Sequence, residues 1–146
     1  MPFGPAPLGF AYFAGVKFAG YCGYAAVLNR SSAVTRSGCK TPATWKSGLV
    51  RTEIGIVVGI VVGLGFWKVF PHIEFLKNYA DTLFFAGLVP VRVLEWYFFL
   101  WLLYKRCDLD RKSKAIFIFI GIVVSFLLDV LGFYALLIVP EGAWIC

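Results

Sequence analysis

Four stretches of the chain, Leu8–Leu28, Thr52–Phe70, Thr82–Tyr104 and Ala115–Val139, are mostly apolar, and each runs about as long as a helix must to cross roughly 30 Å of hydrocarbon. No soluble fold accommodates them easily. The whole sequence has 146 residues, of which 60% are hydrophobic and only 15% charged, whereas a water-soluble domain of this size buries only about 70% of its unfolded surface. The solvent for the excess is lipid. Backbone amides in lipid must be satisfied within the segment, and the chain has no series of short alternating segments for a barrel, so the spans are helices. The expected fold is all-α: one polytopic membrane domain over residues 1–146, built as a four-helix bundle.

Before the first span, Pro2, Pro5 and Pro7 keep the chain extended. Nothing basic precedes that span and Lys17 interrupts its middle, so it is expected to stay in the protein rather than act as a signal peptide. Between the second and third spans, Pro71 breaks the chain. The stretch from His72 to Asp81 then sets Ile73, Leu76 and Ala80 against Glu74, Lys77, Asn78 and Asp81, the pattern of a short interfacial helix.

Loop charge sets the expected orientation. The segment 29–51 carries Arg30, Arg36, Lys40, Lys46 and Arg51, and 105–114 carries Lys105, Arg106, Arg111, Lys112 and Lys114, while the opposite side holds only Lys68 and Lys77. Cations concentrate in cytoplasmic loops. Both basic loops are therefore expected inside, with N-out and C-out ends, in a bacterial inner membrane or an equivalent energy-transducing one. The net charge of +6 belongs to this bias and not to nucleic acid, since no basic stripe interleaved with exposed aromatics lies outside the spans. The hydroxyls and cations of the first loop are also suited to anionic lipid headgroups.

Two ridges of small residues suggest how helices meet. Gly55, Gly59 and Gly63 repeat every four residues in the second span, and Gly15, Ala19 and Gly23 do so in the first. Missing side chains let backbones approach closely in lipid, so the ridges are expected to pack on each other or on another copy. Trp45, Trp67, Trp101 and Trp144 fall near interfaces and read as anchors. Trp96 lies deep in the third span.

Four ionisable residues sit within spans: Lys17, Arg92, Glu95 and Asp129. Each central charge costs about 2.5–3.5 kcal/mol to insert, so the third span alone is penalised by about 6 kcal/mol. Lys17, Arg92 and Asp129 lie at nearly one depth, with Glu95 one turn further in. Two cations and two anions sum to zero, and a planar guanidinium at Arg92 is suited to bridging two carboxylates. The expectation is a neutral network joining the first, third and fourth spans, with Pro90 freeing a backbone carbonyl beside it.

Enzyme chemistry is hard to assemble here. His72 is the single histidine, no glycine-rich phosphate loop follows a strand, and Cys22, Cys39, Cys107 and Cys146 form no C-x-x-C pair, so neither a metal site nor a disulfide framework is expected. No cofactor is specified. The leading expectation is a small non-enzymatic membrane subunit or scaffold that packs with other subunits or with copies of itself. The rival is a homo-oligomeric channel or transporter for an ion or small molecule, using Arg92, Glu95 and Asp129.

Overall fold

The computed structural model describes the backbone of residues 7–69 and 80–138 and the side chains of 9–65 and 87–132. The described residues form helices joined by short irregular connections: α1 (Pro7–Arg30), α2 (Ser32–Arg36), α3 (Thr44–Val69), α4 (Ala80–Tyr104) and α5 (Arg111–Ile138). Among them, Thr44–Gly65, Gly87–Tyr104 and Arg111–Gly132 are long and apolar enough to cross a membrane. The protein is a membrane-embedded helical bundle. α1 matches the others in length with 24 residues, but Lys17, its tyrosines and its glycines lower its hydropathy below theirs. The expected interfacial helix at 72–81 falls almost wholly outside the described residues.

α1 packs against α3 and α5, and α4 packs against the same two helices, which closes a ring in the order α1, α3, α4, α5. One end of this ring is tied together. Ser31 ends α1 and caps α2, its hydroxyl accepting from the Val34 amide at 3.4 Å, while Val34 turns inward and is buried. Gly38 follows with φ +61°, a left-handed turn that glycine enters without a Cβ penalty. The Asn29 amide then donates to Pro42 O at 3.0 Å and its carbonyl accepts from Tyr104 OH at 2.7 Å. One side chain thus joins the ends of α1 and α4 to the entry of α3.

The same end carries a disulfide, although no disulfide framework is expected from the cysteine spacing. Cys39, in the connection before α3, is disulfide-bonded to Cys107, in the connection after α4. The two lie 68 residues apart, a separation that carries no local signal, and only the ring of helices brings their loops together. Asp110 caps the following helix by accepting from the Ser113 amide at 3.4 Å. Hydrogen bonding from Ser113 holds the Asp110 carboxyl below the usual carboxylate range.

Close helix contact does not follow the two ridges. Gly15, Ala19 and Gly23 all face outward, and a methyl group at Gly15, Gly23 or Gly63 would meet nothing within 4 Å. Within one chain the ridges do not face each other. α1 and α3 instead cross nearest at Gly48, where a Cβ would overlap Cys22 Sγ and come within 3.1 Å of Cys22 N and Phe18 O. Gly20, Gly121 and Gly132 make room in the same way for Leu128, Trp96 and Phe13. Small residues do admit neighbours in this bundle, at positions set by where the helices cross rather than by the regularity of the repeat.

Candidate functional site

Helix α3 begins at Thr44, eight residues before the expected start of the second span, because nothing after Pro42 breaks a helix. The shift moves Arg51 from a loop into the bundle. There it is fully buried, at 0% exposure, and its side chain runs along its own helix to Gly55, whose Cβ, if present, would lie 3.4 Å from Arg51 Nη1. A methyl there would be in ordinary contact with the guanidinium.

The structure brings Lys17, Arg92, Glu95 and Asp129 together and adds Arg51 to them. Lys17 Nζ lies 2.7 Å from Asp129 Oδ1, and Asp129 Oδ2 accepts from Arg92 Nη2 at 3.0 Å. Arg92 Nη1 donates to Glu95 Oε2 at 2.9 Å, and that same oxygen accepts from Arg51 Nη2 at 2.6 Å. The result is a ladder of alternating charge, Lys17, Asp129, Arg92, Glu95, Arg51, with members on all four long helices. Arg92 uses its two terminal nitrogens on two different carboxylates, as a planar fork allows. Lys17, Arg92 and Glu95 are 2%, 1% and 4% exposed. The side chain of Asp129, at 12%, is the most accessible rung.

The expected neutral count changes with Arg51. Three cations now face two anions among the described residues, so the ladder carries one excess positive charge. Its surroundings partly answer for that. The Arg51 guanidinium carbon sits 4.6 Å from the Trp96 ring centre and 4.9 Å from that of Tyr21, and aromatic faces attract cations. Ser125 Oγ accepts from Arg51 Nη2 at 3.4 Å and from Trp96 Nε1 at 3.0 Å. Both of its lone pairs are thereby used, leaving its proton for Tyr21 OH at 3.3 Å. Arg51 Nε and Nη1 are buried with no hydrogen-bond acceptor. Rings stabilise charge, but they offer those N–H groups no lone pair.

Trp96 organises this inner end. It is fully buried and meets Tyr21, Tyr24 and Phe99 edge to face at 5.8, 5.1 and 5.2 Å between ring centres. Gly121 leaves the space its indole occupies. Trp45 and Trp101 are exposed, while the side chains of Trp67 and Trp144 lie outside the described residues.

Helix α4 runs unbroken from Ala80 to Tyr104 and Pro90 is exposed, on a different face from Arg92 and Glu95, so no broken helix lines the ladder. No cluster of metal-ligating side chains occurs among the described residues, and His72 is not among them. Arg51 and Ser125 were invisible as partners in the sequence, because a serine in an apolar run and an arginine at a loop edge are both ordinary. One signal did exist: Arg51 stands four residues before Gly55, the spacing that sets two positions one above the other on a helix face. No family model matches the chain, nor does any curated protein or solved structure, so its function is argued from this buried ladder of charges.

Proposed function

We propose that the protein is a channel or transporter that passes a small anion, with the ladder from Lys17 to Arg51 as its intramembrane site. The observation that carries the reading is the ladder itself: five charges on four helices, four of them buried, one positive in sum, with two Arg51 nitrogens lacking an acceptor. Ionisable groups at membrane depth are costly and commonly mark ion or substrate paths, and an excess cation favours a negatively charged occupant. Four helices enclose little volume, so the reading takes α1 as a fourth span and has copies associate through its outward ridge of Gly15, Ala19 and Gly23, with Gly59 and Gly63 of α3 as a second contact.

Flux from sealed vesicles tests this. Purified protein is expected to release trapped chloride or a small dicarboxylate above the rate of empty vesicles. Arg51→Lys, which keeps the charge but removes the fork, should lower that rate at least about tenfold, the effect of losing roughly 1.4 kcal/mol of favourable interaction. Folded protein that passes neither anion would remove the transport reading. A subunit or scaffold role would then stand, and one observation favours it now: the five charges pair with one another.

Sidedness is proposed from charge, with both basic loops cytoplasmic in an inner or equivalent energy-transducing membrane. The Cys39–Cys107 bond weighs against this, since disulfides persist mainly in oxidising compartments. With Arg51 taken into the bundle, nine cations against two are still the heavier argument. In cells carrying a Cys22→Ser, Cys146→Ser chain, an impermeant maleimide should fail to label Cys39 or Cys107, with or without an impermeant reductant. Labelling that appears after outside reduction would reverse the orientation.

A further inference from the structure

At the tied end of the bundle a crevice of about 130 Å³ opens between α4 and α5. Its chemistry is graded. Lys105 and Lys114 stand at the rim, Cys107 forms part of the floor, and Tyr97, Trp101 and Ile118 continue down the helices. On α4, Lys105, Trp101 and Tyr97 follow at intervals of four residues, each about 6 Å further from the connecting loop. Cations thus occupy the end nearest the loop and aromatic or aliphatic walls the end nearest the spans.

We infer that this crevice binds an anionic phospholipid, its phosphate between Lys105 and Lys114 and an acyl chain along Tyr97, Trp101 and Ile118. The site stands apart from the charge ladder and does not depend on the transport reading. Lys105 and Lys114 are exposed and reach the rim from different helices, and Lys105 Nζ lies 5.2 Å above the Trp101 ring. Asp108 and Asp110 share the connection, but Asp110 is engaged in capping α5. Five cations against two acids leave the 105–114 segment at +3. The disulfide at Cys107 pins the floor to the other basic loop. A zwitterionic lipid brings an ammonium that this rim repels, and inorganic phosphate alone would leave the apolar wall uncovered.

Native mass spectrometry of the full chain in mild detergent reads the bound lipid directly. At low salt, phosphatidylglycerol is expected to bind about 25-fold more tightly than phosphatidylcholine, each lysine near the phosphate contributing a factor of about five. Lys105→Gln with Lys114→Gln should abolish the preference. Lys40→Gln with Lys46→Gln, which removes equal charge from exposed positions outside the crevice, should retain it, and melting curves confirm that both double variants are folded. Equal binding of the two lipids would overturn the site, as would equal losses in the two double variants, which mark a diffuse basic surface. Displacement of phosphatidylglycerol by an equal concentration of inorganic phosphate would overturn the lipid assignment in favour of free phosphate.

Discussion

Glu95→Gln is expected to destabilise the protein by about 3–5 kcal/mol, the usual cost of breaking a buried ion pair and stranding its partner. One oxygen of Glu95 receives both Arg51 at 2.6 Å and Arg92 at 2.9 Å. After the substitution Arg92 still has Asp129, whereas Arg51 keeps only the Ser125 hydroxyl and two aromatic faces. The damage therefore concentrates on Arg51. Adding Arg51→Met returns the excess charge from two to one and should restore most of the detergent-extracted yield and melting temperature, while Arg92→Met, which leaves Arg51 stranded and takes one of the two cations from Asp129, should restore less. A single variant that melts normally, with no coupling in either double, would mean that the ladder contributes nothing to stability.

Trp96→Ala should cost a similar amount, about 3–5 kcal/mol, as is usual for truncating a large buried aromatic. Three edge-to-face ring contacts disappear at once, each worth about 0.5–1.5 kcal/mol beyond its buried area. So does one of the two faces over which the Arg51 charge rests. Trp101→Ala is the matched control. That ring is about half exposed and meets its helix neighbours Phe98 at 5.8 Å and Lys105 at 5.2 Å, so its loss should shift stability by roughly 0.5 kcal/mol or less. Thermal melting of the two variants in one detergent compares them directly, and equal shifts would show that Trp96 does not hold the inner end of the site together.

Membrane embedding, helicity and the set of charges that had to find partners were all legible in the sequence. Each follows from quantities that add along a chain: apolar length against bilayer thickness, amides that must be satisfied inside their own segment, and an insertion penalty at Lys17, Arg92, Glu95 and Asp129. The Arg92 and Glu95 pair, three residues apart, needed no tertiary information at all. Contacts between helices are another matter. Which glycine admits a neighbour depends on where two axes cross, so Gly48, Gly121 and Gly132 make the close approaches while the more regular Gly15 ridge faces outward. Cys39 meets Cys107 because the ring of helices brings two distant connections to one end. Arg51 became the fifth rung because α3 begins at Thr44, carrying a cation counted among the loop residues into a site of Glu95, Ser125, Tyr21 and Trp96. Hydropathy marks that arginine as a boundary, since it weighs each residue alone against lipid. Only the fold supplies a carboxylate, a hydroxyl and two aromatic faces at the depth where the charge comes to rest, and with them the excess positive charge on which the proposed anion path depends.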